Sequence, residues 1–164
     1  MIPEEKFKFV CKVYSALISG NLEEAEKAFN SKKIDIAILS RSKSNWLHEV
    51  LKNIPNTTPI ETINYLIKKG ISPLAKDCYG MTPLHYAIRG KNIEAVKILL
   101  KAGADPNALD ISGGLIPFKM ACSISPFNHE LINIFLQYGA DVHIIDNITG
   151  EPLSNLLDIK YYKN

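Results

Sequence analysis

The chain has 164 residues, 46% of them hydrophobic, and a formal charge of +2, enough for one domain with a sizeable core and no need of a second. Its basic residues form no run, so neither a nucleic-acid footprint nor a membrane-binding basic patch is expected. No apolar stretch approaches the length of a bilayer span, and residues 1–5 carry early acids rather than an apolar leader. Cys11, Cys78 and Cys122 are odd in number and far apart, which argues against a disulfide framework and for a reducing, cytoplasmic setting.

In chain order, Lys6, Lys8 and Lys12 first interrupt the apolar positions of an N-terminal helix. Next come Asn45-Trp46-Leu47-His48-Glu49-Val50 and then Gly70-Ile71-Ser72-Pro73. The sharpest segment follows: Asp77 and Gly80, then Thr82-Pro83-Leu84-His85-Tyr86-Ala87. Thr82 suits an N-cap and Pro83 the first helical position, where its fixed φ helps and its missing N–H does no harm. Leu84, Ala87 and Ile88 give the predicted helix a short apolar stripe. Asn92 is placed to cap a second helix, whose buried face is Ile93, Val96, Leu99 and Leu100. Gly103 ends it, able to take left-handed geometry, as Gly70 and Gly139 are in their own segments. Ile116-Pro117-Phe118-Lys119-Met120-Ala121, then Asp146 to Gly150 with Glu151-Pro152-Leu153-Ser154, repeat the pattern more loosely.

Aligned on one leucine these segments recur at 33 to 37 residues, and Gly70, Gly103 and Gly139 independently mark a second register. An Asp-x-x-Gly-x-Thr-Pro-Leu-His-x-Ala unit with this spacing resembles the ankyrin repeat. The likeness is strong in residues 77–109 and looser toward both ends, where Ala16 to Glu23 looks like that family's inter-helix turn. The resemblance implies an all-α solenoid of helix-turn-helix units with short β-hairpin fingers, about four and a half repeats in one domain. The approximate units are 1–39 as an N-terminal cap, 40–76, 77–109, 110–145, and 146–164 as a truncated C-terminal cap. It further implies that Thr82, Pro83, Leu84 and Gly103 are structural. His85 and His48, at matching positions, then tie each unit to the adjacent finger.

The enzyme reading starts from those same histidines, but Lys119 and Ser154 stand at the equivalent position, which a shared catalytic or metal role would not survive. No cysteine has a Cys-x-x-Cys partner, His129 and His143 lack a neighbouring ligand pair, and Gly113-Gly114 lacks the Lys-Ser/Thr of a phosphate loop. No catalytic residue, metal or cofactor is therefore assigned. A site assembled in the groove is the disfavoured alternative, since triads form in space and not in sequence.

The resemblance places binding on the concave surface of fingers and first helices, with another protein as partner, no nucleic acid, no membrane, and a monomeric chain. Candidate contacts are Arg41, Ser42, Lys43, Trp46 and Lys52; Cys78, Tyr79, Met81, Arg89 and Lys91; Ser112, Leu115 and Ile124; and Asn147 with Ile148. Tyr, Met and Trp are enriched where partners dock. Trp46 stands where the motif has proline, so core packing is the competing reading. The basic members fit either an acidic partner or an ordinary solvated face. Composition rich in Lys, Asn and Ile is compatible with an A/T-rich bacterial or viral genome, and a toxin-neutralising or host-directed role would use the same surface.

Overall fold

In the computed structural model, residues 4–31, 42–53, 58–124, 126 and 128–161 are described. Nine α-helices follow one another among them: α1 Glu4–Ser19, α2 Leu22–Asn30, α3 Trp46–Leu51, α4 Ile60–Lys68, α5 Pro83–Arg89, α6 Ile93–Lys101, α7 Pro117–Cys122, α8 His129–Gln137 and α9 Ser154–Tyr161. Most have six to nine residues. Helices that short are not stable alone, so packing must hold them. The odd-numbered helices α1, α3, α5 and α7 pack in one row, and α4, α6 and α8 in a second row behind it.

Local chemistry sets where each helix begins and ends. Asn21, Asn92 and Asn128 cap α2, α6 and α8, each accepting a backbone N–H three residues on at 2.9–3.2 Å. Pro83 and Pro117 open α5 and α7. After α4, α6 and α8 the chain turns through Gly70, Gly103 and Gly139 at φ of 84°, 88° and 85°.

One continuous apolar cluster runs from Val13 to Leu153, with Trp46, Phe118 and Phe135 its largest fully buried members. Small residues at Ala16, Ala87 and Ala121 are buried in the first-helix row, where they let neighbouring helices approach closely. The Thr62 hydroxyl donates to the Leu17 carbonyl at 2.7 Å and ties α4 to α1. Behind, Glu26 of α2 accepts from the Tyr65 hydroxyl and from Lys69, while Lys97 of α6 bridges Glu94 and Glu130. Such exposed pairs orient the row more than they stabilise it.

Between α4 and α5, α6 and α7, and α8 and α9 the chain projects as a tight loop. The backbone N–H of Asp77, Asp110 and Asp146 closes each loop onto Met81, Leu115 and Glu151 respectively. These fingers are turns rather than ladders: the one bridge among the described residues is Ile145 to Pro152, so the expected β-hairpins reduce to hairpin-like turns.

Gly80 is the tightest of these points. It has φ of 75°, and a Cβ there would lie 2.7 Å from the backbone nitrogen of Ile111 in the next finger. Gly80→Ala should therefore lower stability by about 1–3 kcal/mol, through left-handed strain plus displacement of the neighbouring finger. Gly103→Ala, with open space around it, should fall less. Urea unfolding of the two variants reads the difference.

Candidate protein-binding surface

The surface is held up by three cross-unit braces. In the first, the His48 N–H donates to Asn45 Oδ1 and the Asn45 N–H donates back to His48 Nδ1, both at 3.1 Å. With Nδ1 an acceptor, Nε2 carries the proton and donates to the Met81 carbonyl at 3.0 Å, 33 residues on. In the second, the Thr82 N–H donates to His85 Nδ1 at 3.0 Å, and His85 Nε2 reaches the Leu115 carbonyl at 3.3 Å. Each imidazole thus begins its own helix and holds the following finger. Both rings are buried, and burial is the main cause holding their pKa values below the ordinary histidine value.

At the same position of the next unit, Lys119 does the work differently. Its Nζ donates to the Gly114 carbonyl at 3.2 Å and to Asp146 Oδ1 of the following finger at 2.8 Å. That hydrogen bond is the main cause holding the Asp146 carboxyl below the usual carboxylate range.

The aspartates organise the finger loops. Asp77 Oδ1 accepts from the N–H of Tyr79 and Met81 at 2.9 and 3.0 Å, and its Oδ2 accepts from the Tyr86 hydroxyl at 2.6 Å. Asp110 likewise accepts from Gly114 and Leu115 at 3.0 and 3.1 Å. Adjacent tips are also joined: the Cys78 N–H donates to Ser42 O at 2.7 Å and the Ile111 N–H to Tyr79 O at 2.9 Å. Asn147 Nδ2 lies 3.4 Å from Ser112 O.

What remains at the surface is chain-specific. Tyr79 is 64% exposed and Ile148 77%, with Lys43, Cys78, Arg89, Lys91, Ser112 and Asn147 also exposed. Ser42, Lys52, Leu115 and Ile124 are half-buried, and Arg41 and the boundary at 39/40 lie outside the described residues.

Two candidates need correction. Trp46 is fully buried, its ring edge-on to Phe29 at 5.6 Å, so it is core and cannot meet a partner; its indole N–H has no acceptor among the described residues. Met81 is 9% exposed, because Asp77 draws its amide inward and His48 holds its carbonyl. It is part of the frame.

Sequence reasoning also missed two residues. Ile111 is 76% exposed, directly after Asp110 at the place that the exposed Cys78 holds after Asp77. Tyr86 is buried yet organises its surroundings, with Lys52 Nζ 5.5 Å and the Arg89 guanidinium 5.4 Å from its ring centre. Lys52 is further tied to Glu49 and to the Ser44 hydroxyl, each at 2.8 Å. Arg89 has no carboxylate partner among the described residues. Nor do those residues include three His, Cys, Asp or Glu side chains grouped to hold a metal, or a helix long and apolar enough to cross a membrane.

Repeated helix pairs, finger loops and cross-unit braces define a stacked-repeat protein. The family model describing three copies of the ankyrin repeat matches residues 13–110, and the chain belongs to the ankyrin-repeat family. An ankyrin repeat protein of fowlpox virus is 45% identical over 56 residues, covering 34% of this chain and 11% of that protein. The human transient receptor potential cation channel subfamily A member 1 is 25% identical over 128 residues, 78% of this chain and 11% of the channel. The glycerophosphocholine phosphodiesterase gde1 of Schizosaccharomyces pombe is 34% identical over 85 residues, 52% of this chain and 7% of that protein. The chain spans a small part of each relative. Ankyrin repeats in general mediate protein–protein interaction.

His85→Ala should cost about 1–3 kcal/mol, because it leaves the Thr82 N–H and the Leu115 carbonyl without their partner. A pH dependence follows. With folded pKa values below the ordinary one, the unfolded chain takes up protons first as pH falls through about 6.5. The histidine contribution is then fully present above that pH and is lost as pH drops toward the lower folded values. Urea midpoints of the parent and of His48→Gln/His85→Gln should show this decline in the parent and a flatter profile in the variant.

Proposed function

We propose that this chain is a protein-recognition module, docking a partner protein on the surface of its fingers and first helices and carrying out no chemistry there. The observation that supports the reading most is the exposure of Tyr79, Ile111 and Ile148, the most exposed large apolar side chain on each of three successive fingers. Buried bonds fix the backbone beneath them, so docking orders little that is not already ordered. Ser42, Lys43, Lys52, Cys78, Arg89, Lys91, Ser112, Leu115, Ile124 and Asn147 complete the surface. Its charge favours a partner acidic on the contacting face.

A toxin-neutralising or host-directed role would use the same residues, and a partner enzyme that loses activity when bound would identify it. The test is affinity capture from extract of the source cells, with the parent chain and with Tyr79→Ala/Ile148→Ser. Exposed positions usually change stability by less than about 0.5 kcal/mol, so the variant should fold. Hot-spot side chains are worth about 2 kcal/mol or more, so a stoichiometric partner of the parent should bind the variant roughly thirtyfold more weakly. If the variant holds the partner as tightly, while Glu94→Lys on the second-helix row releases it, binding lies on the opposite side.

A further inference from the structure

Between the units of α5 and α7 the first-helix surface carries a depression of about 300 Å³, lined by Ile88, Arg89, Lys91, Met120, Ser123 and Ile124. A second cavity of about 190 Å³ shares Ile88, Lys91 and Ile124 with it and extends to Val96 of α6 and Leu131 of α8. Both lie beside the segment that joins α7 to α8, which is longer in sequence than the Gly90 to Asn92 turn that joins α5 to α6. The trough has an apolar floor and two cations at its rim. Among the described residues no carboxylate lines either cavity.

Arg89 is held in place by other groups. Arg89 lies against the Tyr86 ring, and Tyr86 is itself pinned by its hydroxyl bond to the buried Asp77. Lys91 sits in left-handed backbone at φ of 52°, in the inter-helix turn where the first unit has Gly20 at φ of 76°. A side chain with a Cβ is retained there against a local cost.

Resting on the recognition role proposed above, we infer that this trough is the specificity pocket of the surface. Its occupant is a partner segment in which a large apolar side chain stands beside an Asp or Glu. The apolar group enters against Ile88, Met120 and Ile124, and the carboxylate meets Arg89 and Lys91. A guanidinium already stacked on an aromatic ring has less side-chain freedom to lose when it pairs with a carboxylate, and the low polarity of the floor strengthens that pairing.

A random peptide library selected on the full chain tests the assignment, followed by titration of the enriched peptides with three variants. Arg89→Glu/Lys91→Glu reverses the rim, Ser123→Trp fills the trough from an exposed position, and Tyr79→Ala/Ile148→Ser alters only the fingertips. Enriched peptides should place an acidic residue within a turn of a large apolar one and weaken at high salt. They should lose about tenfold or more in affinity on the first two variants. Peptides with no such pairing, or bound equally well after rim reversal and filling, overturn the pocket. If those same peptides are lost on the fingertip variant, the surface stands without the pocket; if no variant affects them, both readings fail. A library that yields no enriched sequence also overturns the pocket, and leaves a folded partner on the fingers to the capture experiment.

Discussion

The structure depends on a buried imidazole that works in two directions. Nδ1 accepts the N–H at the start of its own helix, and Nε2 donates to a carbonyl of the next finger. The six- and seven-residue helices α3 and α5 have too few internal hydrogen bonds to persist alone, so the ring that begins each of them also fastens the structure beyond it. Only the neutral ring can do both, because protonated histidine has no acceptor nitrogen. Burial of the ring favours the brace, since it lowers the pKa and keeps the proton off Nδ1 as pH falls.

The stack is not uniform along its length. Two neutral braces from α3 and α5 hold the fingers after α4 and α6, whereas the finger after α8 is held by the charge pair of Lys119 with Asp146. A flexible lysine takes the place of the imidazole here, at the cost of removing two charges from water. Surface chemistry changes in the same direction. Cations occupy the middle units, at Lys43, Lys52, Arg89 and Lys91, while the later fingers present Ile111 and Ile148. The trough lined by Arg89, Lys91, Met120 and Ile124 falls where these two regions meet.

How much of this was legible in the sequence followed how local each cause is. Pro83 at the first position of α5, Asn92 as the cap of α6 and the left-handed Gly103 were readable, because each acts on backbone within a few residues. Matching positions of His48 and His85 carried the brace, once the resemblance supplied its meaning. Met81 and Trp46 were misplaced for non-local reasons. Met81 follows the fingertip in sequence but is drawn inward by Asp77 and His48, and Trp46 finds its place against Phe29 of another helix pair. Ile111 was passed over, although it follows Asp110 directly as the exposed Cys78 follows Asp77. The partnership of Lys119 with Asp146 crosses 27 residues and leaves no mark in either segment.

Nitrogen-15 NMR of the histidine side chains tests the central claim most directly. The account predicts that His48 and His85 are neutral near pH 7 with Nε2 protonated and Nδ1 bare. It also predicts couplings through the hydrogen bonds to the Met81 and Leu115 carbonyls, and rings that stay neutral as pH falls through about 6.5. Rings that carry the proton on Nδ1, or that titrate with an ordinary histidine pKa, would contradict it.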